Sequence, residues 1–271
     1  MGRIEEALRK AKVSRGVEVN ETAPQALNDH AKPRAVSDTT PLDLRKSKIP
    51  SGHVFHADKA MLREQRIIAA SEHDERVGSY RQLRTLLLKT MRDNDWSTLA
   101  ITSAHKGAGK SVTSTNLAIS LSRDVNTTVL LVDLDLNTPT VHEKLGLKAE
   151  QGLVDFLEGN AELEDIVFDP GIDGLMVLAG RSAGKEMSEL LASPKLQQLV
   201  ADLHRQDATS VTIFDLPPLL RNDDAILFAP YADAVLVVVE DGVTTEKQLR
   251  HALQLLDKAN VIGTIINKAR Y

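Results

Sequence analysis

The chain of 271 residues contains no cysteine. Disulfides, thiolate metal sites and a cysteine nucleophile are therefore excluded, and the composition suits a reducing cytoplasm. No apolar run reaches the ~18 residues that a membrane helix needs, and the N-terminus lacks a secretory hydrophobic region. The expectation is a chain that neither spans a membrane nor is exported. The eight histidines are scattered without ligand-like spacing, so no structural zinc is expected. Nor is there an excess of base. The formal charge is −5, and it divides unevenly: residues 1–66 carry 13 Lys and Arg against 9 Asp and Glu, which leaves −9 for the rest. An acidic main body argues against nucleic acid as a partner.

What is present has the balance of a soluble globular protein, with 42% hydrophobic and 26% charged residues. The length suits one α/β domain with a tail. Residues 3–12 place Ile4, Leu8 and Ala11 on one helical face, with Glu5–Arg9 and Glu6–Lys10 at i,i+4 spacing. This predicts a short amphipathic helix over residues 1–15, too short to persist alone and suited to docking. Gly2 is followed by Glu6 where a myristoylation signal needs Ser or Thr. Residues 16–60 are rich in Asn, Asp, Thr, Ser and Pro without either hydrophobic period, and read as a flexible linker. Residues 61–271 form the predicted folded domain.

Within that domain, Asp74–Asp93 has helical spacing at Val77, Tyr80, Leu83, Leu87 and Met91. Apolar runs follow at Thr98–Thr102, Thr128–Asp133, Leu175–Ala179, Val211–Asp215, Ala234–Val239 and Val261–Asn267, separated by helical stretches such as Ser114–Leu121, Ser188–Arg205 and Glu246–Ala259. Near-continuous Val/Ile/Leu strands alternating with helices predict an α/β fold: a doubly wound, mostly parallel sheet with helices on both faces. In such sheets ligands sit beyond the carboxyl ends of the strands.

The first of these strand ends leads into Ala104-His-Lys-Gly-Ala-Gly-Lys-Ser111, a match to the phosphate-loop pattern with Ala at its first position. Gly107, Ala108 and Gly109 leave backbone N–H groups open to a polyphosphate. Lys110 reaches the β- and γ-phosphates, the Ser111 hydroxyl is a Mg²⁺ ligand, and Val112 continues the loop into a helix whose N-terminus favours an anion. Two more strand ends carry acid: Asp133-Leu-Asp135 and Asp215-Leu-Pro-Pro218. A carboxylate there is placed to hold Mg²⁺ or its waters, and Asp215 is assigned that role. Of Asp133 and Asp135, one is expected to accept a proton from an attacking hydroxyl or water while the other helps to hold the ion.

The order of phosphate loop, Asp-x-Asp and Asp-x-Pro-Pro resembles the bacterial tyrosine kinase family of capsule and exopolysaccharide systems. The likeness runs from about Tyr80 to Lys268. It is supported by Tyr80-Arg-Gln-Leu-Arg-Thr85, Gly152-Leu-Val-Asp-Phe-Leu-Glu-Gly159, Leu178-Ala-Gly180 with Glu189-Leu-Leu-Ala-Ser193, and Gly263-Thr-Ile-Ile-Asn-Lys268. The opening Met-Gly-Arg-Ile-Glu-Glu-Ala-Leu-Arg-Lys resembles the starts of exosortase-associated members. The resemblance implies ATP and Mg²⁺ as cofactors, Lys110, Asp133 and Asp135 as catalytic residues, and Ser111, Asp133 and Asp215 around the metal. Asn267 becomes a candidate for contact with the base. The resemblance further implies tyrosine autophosphorylation, a homo-oligomer, and recruitment to the inner face of the cell membrane by a chain-length-determinant-type (polysaccharide co-polymerase) protein.

Three positions depart from the family pattern. Members carry a cluster of tyrosines in the C-terminal tail, whereas this chain has Tyr80, Tyr231 and Tyr271, of which Tyr271 is the tail phosphoacceptor candidate. Asn137 stands where an Arg follows the Asp-x-Asp, which removes a cation. Gly78 replaces the Glu of a Glu-x-x-Arg-x-x-Arg subunit-contact pattern that otherwise reads Arg81 and Arg84. These leave two alternatives: a partitioning ATPase of the MinD/ParA type that dimerises on ATP, although His105 stands where those proteins have a Lys, and a nucleotide-binding scaffold of the same polysaccharide system.

Overall fold

The computed structural model describes residues 53–71, 74–182, 187–205 and 209–269. The expected helix over residues 3–12, the tether up to residue 52 and Tyr271 lie outside the described residues. Seven strands form one sheet: β1 (Thr98–Ser103), β2 (Thr128–Asp133), β3 (Val167–Phe168), β4 (Leu175–Leu178), β5 (Ser210–Asp215), β6 (Ala234–Glu240) and β7 (Val261–Asn267). Their order is β3-β4-β2-β5-β1-β6-β7. All neighbours are parallel except β3, which runs antiparallel to β4 at the edge.

The apolar runs are continuous because both sides of the sheet are covered. Successive side chains alternate between faces. Leu99, Ile101, Leu131 and Ile213 enter one core, while Ala100, Val132 and Phe214 enter the other. On the first face lie α1 (Lys59–Glu64), α2 (Val77–Asp93), α3 (Lys110–Ser122) and α4 (Val141–Leu145), with Leu62, Leu87, Met91, Leu117 and Leu145 buried there. On the second, α5 (Leu153–Glu158), α7 (Pro194–His204), α8 (Asp224–Phe228) and α9 (Glu246–Leu255) contribute Leu153, Leu199, Phe228 and Leu253. The chain leaves β1 toward β2 on one side and returns to β6 on the other, so the carboxyl end of β1 lies at the reversal where such folds bind ligands.

Several boundaries differ from expectation for local reasons. The single helical stretch expected over Ser188–Arg205 is two helices, α6 (Met187–Leu191) and α7. Pro194 lacks an N–H and starts a helix, and the Ser193 hydroxyl caps that start by accepting from Leu196 N at 3.2 Å. The two-residue β3 is too short to leave a period in the sequence. The folded part also extends back into the stretch assigned to the linker. Phe55 N donates to Asp169 O at 2.8 Å, and the His53 ring stacks on Phe168 with centroids 4.5 Å apart. Asp58 then caps α1, its Oδ1 accepting from Ala60 N and Met61 N at 2.7 and 2.9 Å.

Candidate active site

β1 ends at Ser103, and the chain turns through Gly107 and Gly109, whose φ angles of 89° and 94° lie in the left-handed region that glycine occupies without strain. Lys110 and Ser111 then open α3 directly, with Ala108 buried beneath the loop and Val112 partly buried in the first turn. The loop is fixed to the neighbouring strand end: Leu219 N donates to Ser103 O at 2.9 Å, and Leu220 N to Ala104 O at 3.1 Å. The segment after Asp215 and the phosphate loop are therefore held as one piece.

Register brings the acids together. Ile101 pairs with Asp215 and Asp133 pairs with Asp215, so β1, β5 and β2 end side by side. Asp133 and Asp215 are fully buried and Asp135 nearly so. Lys110 Nζ meets Asp135 Oδ2 at 2.5 Å and lies 3.4 Å from Ser111 Oγ. Burial pushes the Lys110 ammonium down, but Asp215, Asp135 and Asp133 together more than reverse this and hold its pKa above the ordinary value. Burial, reinforced by Asp215, pushes Asp133 up to about 8. Asp215 is raised as well, chiefly by burial and against the pull of Lys110.

The three carboxylates are partnered differently, which the sequence could not distinguish. Asp133 Oδ2 accepts from Thr140 N and Val141 N at 2.9 and 3.0 Å, and its Oδ1 accepts from Asp135 N at 3.2 Å. Its carboxylate thus takes part in shaping the turn into α4. Asp135 holds Lys110 with one oxygen and the Thr138 N–H and hydroxyl with the other. Asp215 receives no hydrogen bond on either oxygen. The Ser111 and Ser114 hydroxyls are near enough to ease its pKa rise without reaching hydrogen-bond geometry. A buried carboxylate with both oxygens orphaned, beside Ser111 and under the phosphate loop, fits a divalent cation or its waters. No group of three or more acidic or histidine side chains among the described residues is arranged to hold a metal ion. Mg²⁺ suits such a place because it binds through few carboxylates and completes its shell with phosphate and water.

Around this centre, Asn137 Nδ2 donates to Asp224 Oδ2 at 2.9 Å, and the Ser188 hydroxyl donates to Asp224 Oδ1 at 3.2 Å. The position where the resemblance has Arg thus ties the Asp-x-Asp loop to α8. Arg84 is turned inward, donating to Ser120 O at 3.2 Å on α3. Asn267 stands over the loop, its Nδ2 donating to Ala108 O at 2.9 Å. Two residues escaped the sequence reading. Lys144 on α4 is partly buried within reach of the field of Asp215 and Asp133, and no motif marks it. Lys268 donates from Nζ to Gly107 O at 2.7 Å; the only signal for it was its place after a strand-end Asn.

Residues 99–271 match the CobQ/CobB/MinD/ParA nucleotide binding domain. Tyrosine-protein kinase YwqD of Bacillus subtilis (strain 168) is 32% identical over 209 residues, covering 76% of this chain and 87% of YwqD. Tyrosine-protein kinase Etk of Escherichia coli (strain K12) is 29% identical over 270 residues, covering 96% of this chain and 36% of Etk. The chain thus spans about a third of the length of the longer relatives it matches. The solved kinase domain of E. coli Etk is similar with a TM-score of 0.69 at 27% identity, covering 86% of this chain and 96% of that domain. The septum site-determining protein MinD from Pyrococcus horikoshii OT3, solved with Mg-ADP, shares the fold at a TM-score of 0.52 and 22% identity, over 63% of this chain and 69% of MinD.

Proposed function

Because the chain belongs to the CobQ/CobB/MinD/ParA nucleotide-binding family, among its bacterial tyrosine kinases, we propose that it transfers the γ-phosphoryl group of ATP to tyrosine, Tyr271 first. The observation that carries this reading is Asp215, buried and without a donor on either oxygen, beside Ser111 and in the field of Lys110. Ser111 and Asp215 are the residues that would hold Mg²⁺, Asp215 directly or through water. The ion supplies charge neutralisation at the β- and γ-phosphates. Lys110 exchanges Asp135 for the phosphates, and Asp135 is then free to accept the tyrosine O–H proton as the phenolic oxygen attacks phosphorus and ADP leaves. Asp133 holds the turn that carries Asp135.

By the resemblance, the setting is regulation of exopolysaccharide synthesis or export. The chain would work as a homo-oligomer at the cytoplasmic face of a membrane, under a chain-length-determinant-type partner. No helix among the described residues is long and apolar enough to cross a membrane. Against the partitioning-ATPase alternative stands His105 itself, in the place of the Lys; its Nε2 lies 2.8 Å from Thr244 Oγ1.

Incubation with ATP and Mg²⁺ followed by mass spectrometry tests the reading. A phosphate on Tyr271 is expected in wild type and is lost in Lys110→Met and in Tyr271→Phe. ATP hydrolysis with ATP-dependent dimerisation and no phosphotyrosine, with or without the partner's cytoplasmic segment, moves the assignment to the partitioning type. Binding without turnover makes the protein a scaffold.

A further inference from the structure

The outer side of the phosphate loop is covered by the carboxyl ends of β6 and β7, and the contacts there fall on two successive loop carbonyls. Asn267 Nδ2 donates to Ala108 O at 2.9 Å, and Lys268 Nζ donates to Gly107 O at 2.7 Å. A trans peptide is planar, with its C=O and the following N–H pointing in opposite directions. Holding the Gly107 and Ala108 carbonyls outward therefore turns the Ala108 and Gly109 N–H groups toward the position of an anion. Both donors are themselves fixed. Asn267 Oδ1 accepts from Lys268 N at 2.9 Å, and Lys268 adopts a left-handed φ of 59°, uncommon for a residue with a side chain. Lys268 Nζ is also anchored by Glu240 Oε1 at 2.9 Å, and Glu240 is the register partner of Asn267. Gly109 is needed for this approach: a Cβ there would lie 2.0 Å from Asn267 Nδ2.

We propose that Asn267 and Lys268 form a clasp that pre-sets the N–H groups of the phosphate loop for a polyphosphate, so that both are positioning residues and Asn267 is not a reader of the base. The Asn267 amide already gives one N–H to Ala108 O and one lone pair to Lys268 N, which fixes its plane against the loop. The clasp rests on the nucleotide-binding reading and adds to it how the loop keeps its shape. Preorganised donors bind without the reorganisation that a collapsed loop would need.

The test measures binding of ATP, GTP and inorganic tripolyphosphate, with Mg²⁺, to the full chain and to Lys268→Met, Lys268→Arg and Asn267→Ala. Lys268→Met and Asn267→Ala are expected to weaken all three ligands by a common factor of about tenfold, leaving the ratio of ATP to GTP affinity unchanged. Lys268→Arg is expected to regain most of the affinity, which a general loss of structure would not allow. A loss confined to ATP overturns the clasp in favour of base recognition, and unchanged affinity in both variants overturns it outright. If Lys268→Met does not fold, Glu240→Gln takes its place: it frees the anchor of Lys268 and is expected to give a smaller uniform loss, with no loss counting against the clasp. Wild type that binds none of the three ligands defeats the nucleotide reading itself, which separates the two failures.

Discussion

Asp215 is a carboxylate that the fold buries with no donor in hydrogen-bond geometry, a destabilising arrangement unless something binds it. Asp215→Asn is therefore expected to raise the stability of the ligand-free protein by on the order of 1 kcal/mol, while lowering Mg²⁺-dependent phosphotransfer by roughly a hundredfold or more. Urea unfolding and a phosphotransfer assay check the two signs, and a destabilised variant with full activity would contradict both. A pH dependence follows from the same pair. Burial holds Asp133 at about 8 and raises Asp215, so the folded state keeps protons that the unfolded chain releases near pH 4. The contribution of Asp133 is then fully present below pH 4 and lost as pH rises toward 8, by about 1.4 kcal/mol per pH unit, and Asp215 acts in the same direction. His142, depressed by burial, acts oppositely, contributing stability that is lost as pH falls below its ordinary range. The carboxylate trend is thus cleanest above neutrality. Calorimetry of the ligand-free protein should show the melting temperature falling between pH 7 and 8, with Asp215→Asn flattening the fall.

At the scale of elements, the phosphate-loop helix α3 is buried along nearly all its length, although six of its 13 residues are Ser or Thr. Three of its hydroxyls satisfy themselves on the preceding turn, as when Thr115 Oγ1 donates to Ser111 O at 2.7 Å, while Ser120 Oγ donates across to Tyr80 O at 3.0 Å. Asn116 does a different job. Its Oδ1 accepts from Ala69 N at 2.8 Å and its Nδ2 donates to Arg66 O at 3.0 Å, which ties the segment between α1 and α2 to the loop helix. Asn116→Ala leaves both backbone groups without their partner and is expected to cost roughly 2–3 kcal/mol, measurable as a shift of the denaturant midpoint at unchanged slope. A cost below about 0.5 kcal/mol would show that water replaces the amide. The helix itself was legible from Ser114-Thr-Asn-Leu-Ala-Ile-Ser-Leu121, but the task of Asn116 was not, because its partners lie some fifty residues earlier in the chain. The split between α6 and α7 was legible in principle: Ser193-Pro194 is a capping signature, overridden in the reading by the helical spacing on either side of it.

At the scale of the whole molecule, the parallel sheet gathers Lys110, Asp133, Asp215, Glu240 and Asn267 along one rim, because every parallel strand presents its carboxyl end to the same side. A ligand bound there bridges β1, β2, β5 and α3 at once. Mg·ADP at a hundred times its Kd is expected to stabilise the fold by about 2.7 kcal/mol, a rise in melting temperature of roughly 5–10 °C for a domain of this size. Chelation of Mg²⁺ or Lys110→Met should remove most of that rise in a thermal-shift measurement. The sequence by itself determined the parallel strands, the phosphate loop and the acidic strand ends, because buried parallel strands require continuous apolar runs and an anion loop requires glycine, all within a few residues of chain. Only the tertiary structure decided how each acid is partnered. Register between β2 and β5 sets Asp133 beside Asp215, a turn occupies Asp133, Lys110 takes Asp135, and Asp215 is left open. Those assignments depend on distances between groups far apart in the chain, and hydropathy and spacing carry no record of them.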